Sequence, residues 1–216
     1  MKASSLLLFD LDGTLVDTAP EMHIALNTLL KEQGKDSVKY NDIRPFVSDG
    51  VMGIFNVFFD DNPKLNGKRY NRYLDLYEQI LGTEASLFDG MDIVIDQLEE
   101  NNYLWGIVTN KSRRFAEPLL EKLEIIDKSI CLITRDDVTF AKPHPEPILE
   151  ALNRVQFKHL QNCYYIGDSS KDIESAKSAG IRSIACSYGY RKKDDHPEKW
   201  GADFCVHKPI EILNVI

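Results

Sequence analysis

Leu6-Leu7-Leu8-Phe9-Asp10-Leu11-Asp12-Gly13-Thr14-Leu15-Val16-Asp17 opens on a continuous apolar run and breaks at once into carboxylates. A short run of this kind suits a strand buried on both faces, as in a parallel sheet covered by helices. The signature recurs at 104–108, 130–133, 164–166 and 181–185. Helical patterns separate the runs, at 93–98, 114–123, 147–152 and 173–179. Strand and helix in alternation predict an α/β fold with a doubly wound parallel sheet.

Between about residues 18 and 83 the alternation lapses and the pattern is helical throughout. Thr18 and Glu21 have the spacing of a capping box, with Pro20 in the first turn. Met22, Ala25, Leu26, Leu29 and Leu30 form one apolar stripe, and Gly34 is placed to end that helix. Further helices are expected over 51–59 and 68–81, the latter closed by Gly82. The chain therefore reads as a core of residues 1–17 and 84–216 with a small helical domain, 18–83, inserted after the first strand.

The 216 residues, 43% hydrophobic and 28% charged, are enough for a packed core of this organisation. A formal net charge of −8 argues against nucleic acid or an anionic membrane as the main partner. The basic run Arg191-Lys192-Lys193 is followed directly by Asp194-Asp195 and reads as a solvated face. No signal-peptide or membrane-helix pattern is legible, so the expected setting is the cytoplasm. Cys131, Cys163, Cys186 and Cys205 lack zinc spacing and lie in or beside β-like runs, as buried reduced thiols do.

Open parallel sheets bind ligands at the carboxyl ends of their strands. Asp10 and Asp12 follow the first strand, Thr109 and Asn110 follow 104–108, and Asp168 follows 164–166 with Asp172 a helical turn on. Lys142 lies in a loop after 130–133. These residue types suit phosphoryl transfer. Four ionised carboxylates would repel a phosphate dianion; Lys142 and one Mg²⁺, held by carboxylate and carbonyl oxygens, nearly balance them. Asp10 is the candidate nucleophile, and Asp12 the acid that protonates the leaving alkoxide and then the base that activates water. That role needs a raised pKa at Asp12, expected from neighbouring carboxylates. Thr109 and the Asn110 N–H are placed to hold a phosphate oxygen. Asp168 is the second expected metal ligand, and Asp172, at i+4 on the same helical face, orients the groups around the metal. Asp10-x-Asp12-Gly13 also opens a Ca²⁺ loop with Glu21 at its twelfth position, but Leu15 stands at the sixth and a strand precedes it.

With these residues in hand, the chain resembles the haloacid dehalogenase superfamily, whose fold is Rossmann-like. The resemblance rests on Asp10-Leu11-Asp12-Gly13-Thr14-Leu15-Val16-Asp17-Thr18, Val108-Thr109-Asn110, Lys142-Pro143, and Gly167-Asp168 with Asp172, and it spans the chain. It implies a Mg²⁺-dependent phosphatase acting on a small phosphate monoester through a phospho-aspartate, with Mg²⁺ held by Asp10, the Asp12 carbonyl and Asp168. It also implies that the helical insert is a lid. Within the superfamily the sequence is similar to bacterial phosphoglycolate phosphatases at Thr18-Ala19-Pro20, Arg44-Pro45-Phe46-Val47-Ser48, Thr109-Asn110-Lys111, Lys142-Pro143-His144-Pro145 and Tyr188-Gly189-Tyr190. A subgroup acting on N-acetylmuramic acid 6-phosphate is similar at Trp105-Gly106, Asp137-Val138-Thr139 and Asp172-Ile173-Glu174-Ser175. Glu124 stands where many relatives have Gly.

Arg44 has two readings: a partner for a substrate carboxylate, or a bridge between lid and core. A phosphomutase would share the Asp10 chemistry, but that branch typically has a lid histidine where Met22 stands. A non-catalytic protein on the same fold usually loses a motif residue, and here Asp10, Asp12, Thr109, Lys142, Asp168 and Asp172 are all retained.

Overall fold

The computed structural model describes residues 5–59, 65 and 67–216. The chain begins with β1 (Leu6–Phe9) and a two-residue β2 (Val16–Asp17). Four helices follow: α1 (Ala19–Glu32), α2 (Tyr40–Ile43), α3 (Gly50–Phe58) and α4 (Lys68–Ile80). A 3₁₀ segment, Arg44–Asp49, joins α2 to α3. The chain returns through β3 (Ser86–Leu87), α5 (Met91–Glu100), β4 (Leu104–Val108), α6 (Arg113–Lys122) and β5 (Leu132–Ile133). It finishes with α7 (Glu146–Arg154), β6 (Cys163–Gly167), α8 (Ser170–Ala179), β7 (Arg182–Cys186) and β8 (Phe204–Val206).

The main sheet has the order β5-β4-β1-β6-β7-β8 and every pairing in it is parallel. β1 lies in the middle, fully buried, because its side chains serve both faces. Leu7 and Phe9 enter the core beneath α5 and α6, with Val94, Leu98, Ala116 and Leu119. Leu6 and Leu8 enter the opposite core with Ile148 and Ala151 of α7 and Ala176 of α8. This alternation is the two-residue period of a strand, and helices on both faces make the fold Rossmann-like and doubly wound. The free thiols Cys163, Cys186 and Cys205 lie in β6, β7 and β8, and Cys131 just precedes β5. Among the described residues no helix is long and apolar enough to cross a membrane.

Two details differ from the expectation. The run 130–133 is a strand only at Leu132–Ile133, at the sheet edge, where β4 is its one neighbour. The capping box at Thr18 and Glu21 does not form. The Thr18 hydroxyl instead donates to Asp12 Oδ1 at 2.6 Å, and Tyr190 OH accepts from the N–H groups of Thr18 and Ala19. Glu21 is fully buried, and its Oε1 accepts from the N–H groups of Thr83, Glu84 and Ala85.

Those bonds tie the chain leaving the sheet to the chain returning to it. β2 and β3 do the same as a short antiparallel ribbon, pairing Val16 with Leu87. The stripe on α1 is buried throughout, and Tyr73, Leu76 and Tyr77 of α4 belong to the same apolar cluster. Gly34 sits at φ +67° while Lys35 N–H reaches back to Leu30 O, an αL ending for α1.

Candidate active site

Phe9 pairs with Ile107 and with Ile166, so one further step sets Asp10 level with Val108 and Gly167. Thr109 and Asp168 then follow immediately on the flanking strands. This is the switch point of the sheet, where the chain leaves β1 toward β4 and later returns on its other side as β6. Sheet register thus brings three loops together at one edge.

Asp10 accepts from Leu11 N at 2.8 Å, and Lys142 Nζ lies 2.8 Å away. Both contacts fall on Oδ1, and Asp10 lines a cavity of about 390 Å³. Lys142 is buried and also lies 2.8 Å from Asp172 Oδ1 and 2.7 Å from Tyr165 OH. Burial alone would lower the Lys142 ammonium, but Asp10 and Asp172 outweigh it and hold it above the usual lysine value. Burial pushes Asp10 up to about 6; Lys142 works against that rise, while Asp172 and Asp12 add to it.

Asp172 accepts from Ser169 N–H at 3.0 Å through Oδ2, completing a capping box at the start of α8. Asp168 precedes that cap, so the two do not share a helical face as their spacing suggested. Asp168 Oδ2 accepts from Tyr190 N and Ser48 Oγ, each at 2.8 Å, whereas Oδ1 is buried without a hydrogen-bond partner. Burial, with Asp10 and Asp172 nearby, lifts the Asp168 carboxyl well above the usual range. Gly13, at φ +84°, makes this packing possible: a Cβ there would stand 2.1 Å from Asp168 Oδ2.

Asp10, Asp168 and Asp172 offer oxygens within 4.8 Å of one another. An all-oxygen set with an unpartnered buried carboxylate oxygen fits a hard divalent cation. Since Asp172 already serves Lys142 and Ser169, Asp10 and Asp168 are the carboxylates that would hold it.

Asp12, whose charge acts on Asp10, also faces a cation. Its Oδ1 accepts from Thr18 and lies 2.9 Å from the buried Lys111 ammonium, which also donates to Tyr77 OH of α4 at 2.9 Å. Thr109 is buried, and its hydroxyl accepts from Lys111 N–H. The Asn110 side chain clamps the Lys142 backbone, accepting from its N–H at 3.0 Å and donating to its carbonyl at 3.1 Å.

Asp168 adjoins Asp10 and Asp172 but does not itself line the cavity, and neither does Arg44. The Arg44 guanidinium donates to the carbonyls of Gly189 at 3.0 Å and Tyr188 at 3.2 Å, and lies over the Tyr190 ring. The sequence reading assigned no role to Lys111, Ser48, Tyr165 or Tyr190. Only Lys111 carried a usable signal, two residues beyond Thr109 in the same loop.

Residues 7–186 match the model of a family described as haloacid dehalogenase-like hydrolase. The N-acetylmuramic acid 6-phosphate phosphatase of Pseudomonas putida is 38% identical over 212 residues, 97% of this chain and 95% of that one. The phosphoglycolate phosphatase of Xanthomonas campestris pv. campestris strain 8004 is 38% identical over 213 residues, 98% and 96% of the two chains. Among solved structures, a "predicted phosphoglycolate phosphatase" from Haemophilus somnus 129PT superposes with a TM-score of 0.84 at 22% identity, covering 100% of this chain and 99% of that one. That last likeness speaks for the fold.

Proposed function

Because the chain belongs to the haloacid dehalogenase-like hydrolases, we propose that it is a phosphatase that hydrolyses a small phosphate monoester through a phospho-aspartate on Asp10. The observation that carries this reading is the convergence at one sheet edge of Asp10, Lys142 and Asp168, the last with an unpartnered buried oxygen.

Leu11 N–H and Lys142 hold Asp10 Oδ1, which leaves Oδ2 free to attack phosphorus. The new Oδ2–P bond forms as the P–O bond to the leaving group breaks, and Asp12 supplies the proton to the departing alkoxide. Asp12 then takes a proton from the water that cleaves the acyl phosphate, returning Asp10. Thr109 and the Asn110 backbone N–H border the place where a non-transferring phosphate oxygen sits. Mg²⁺, bound by Asp10, Asp168 and the Asp12 carbonyl, would neutralise charge on the phosphoryl group. Asp172 orients Lys142 and the groups around the cation. Residues 18–83 act as the lid over a core of 1–17 and 84–216, in a cytoplasmic setting.

2-Phosphoglycolate is the first candidate substrate. N-Acetylmuramic acid 6-phosphate is the second, and the cavity favours it. About 390 Å³ falls within the roughly 300–1,000 Å³ that hold drug-sized ligands. Its insert side is lined by Val51, Met52, Tyr70, Leu74 and Tyr77, a wall suited to a sugar ring rather than a two-carbon acid. Met22 lines the same cavity in the place where phosphomutases carry a histidine, which supports hydrolysis.

The test is a parallel assay of both compounds and several sugar phosphates, with and without chelator. Phosphate release that stops with chelator supports the reading, and a hundredfold preference in kcat/KM names the substrate. Isomerised sugar phosphate without free phosphate would contradict it.

A further inference from the structure

The 3₁₀ segment Arg44–Asp49 of the insert meets the core around a single residue, Asp168. Arg44 donates to the carbonyls of Tyr188 and Gly189. The next residue, Tyr190, gives its N–H to Asp168 Oδ2. Ser48 gives its hydroxyl to that same oxygen at 2.8 Å. Asp49 lies 2.6 Å from Lys192 Nζ and 3.8 Å from Lys171 Nζ, so charge pairs link the end of the segment to α8 and to the loop beyond Tyr190.

Asp168 has little freedom within this clasp. A Cβ at Gly189 would stand 2.3 Å from its Cβ, and one at Gly13 2.1 Å from its Oδ2. With Oδ2 held by two donors, Oδ1 is the oxygen left without a partner, on a side chain that clusters with the carboxylates of Asp10 and Asp172.

We propose that Ser48 is a positioning residue that joins the insert to the cation site: by holding Asp168 Oδ2 it fixes Oδ1 as a ligand, so that cation affinity and the seating of Arg44–Asp49 are linked. Coupling of this kind is reciprocal. Whatever factor the seated segment adds to cation affinity, the bound cation returns to the seating of the segment. Hydrogen-bond partners that orient metal ligands commonly change affinity by about 10–100-fold when removed. The inference rests on the reading that Asp168 holds a divalent cation.

The experiment is calorimetric titration of the substrate-free protein with Mg²⁺ and Mn²⁺, in the wild type, Ser48→Ala, Ser48→Thr and Asp168→Asn. Amide exchange over residues 44–49 is followed in parallel, with and without cation. Ser48→Ala should weaken cation binding about tenfold, and Ser48→Thr, which keeps the hydroxyl, should restore most of it. Cation should slow exchange over 44–49 in the wild type and Ser48→Thr but not in Ser48→Ala. Wild-type affinity in Ser48→Ala, with wild-type slowing of exchange, overturns this inference alone. A wild type with no saturable uptake, or Asp168→Asn binding as tightly, overturns the cation reading and this inference with it.

Discussion

The Lys142 ammonium lies 2.8 Å from Asp10 Oδ1, with Asp172 Oδ1 at the same distance. All three groups are buried or nearly so; Asp10 directly follows the central strand, and Lys142 and Asp172 reach it from opposite sides. Lys142 serves two ends at once: it orients the carboxylate proposed as the nucleophile, and it offsets the charge of two largely buried carboxylates.

Replacing it removes the cation and leaves both carboxylates in place. Lys142→Met should lower stability by about 3–5 kcal/mol at pH 7, the cost of stranding buried charge. Phosphate release should fall by at least about a hundredfold. Urea unfolding without divalent cation, paired with kcat, checks both; a stability loss below about 1 kcal/mol would show that the pair matters little to the fold.

Asp137 gives a pH-dependent prediction away from the site. Burial raises its carboxyl, but hydrogen bonds from the Thr134 hydroxyl and N–H, and from Arg154 and Arg113, outweigh that and hold it well below the usual range. A depressed folded-state value stabilises the fold above the unfolded value of about 3.9, and the benefit is lost as pH falls through the folded one. Asp137→Asn should therefore melt lower at pH 7, by about 2–4 °C for each kcal/mol lost. The gap should begin to close near about pH 4. A gap of constant size from pH 7 to pH 3 would contradict the assignment.

Glu124 follows α6 at φ +57°, the left-handed region, while Ile125 N–H reaches Leu120 O. Side chains other than glycine are strained there. Glu124→Gly should add about 0.5–1 kcal/mol of stability, the relief exceeding the entropy gained by the unfolded chain. Denaturant midpoints of the two proteins decide it, and a destabilised variant would mean that the Glu124 side chain contributes more than its backbone costs.

The sequence disclosed most where one signal had one physical cause. β1 and β4 were legible because they are buried on both faces, so every residue had to be apolar, and the polar residues that follow them had to fall at the sheet edge. β2 and β3 were not, since two residues carry no period. The capping box failed because a better use existed for each partner: Asp12 for Thr18, and the returning backbone for Glu21. Arg44 had two equal readings in sequence, and only coordinates set its guanidinium on carbonyls. Ser48 and Tyr190 meet Asp168 across long stretches of chain, a pairing no local pattern announces.

Hydrolysis through a phospho-aspartate requires that Asp10 carry the phosphoryl group during turnover. Rapid acid quench of the enzyme with radiolabelled substrate and Mg²⁺, followed by peptide mapping, tests it most directly. A hydroxylamine-labile label is expected on the peptide containing Asp10, absent from an Asp10→Asn variant that keeps its fold by circular dichroism and releases no phosphate. Undiminished phosphate release by Asp10→Asn, or a label on another peptide, would contradict it.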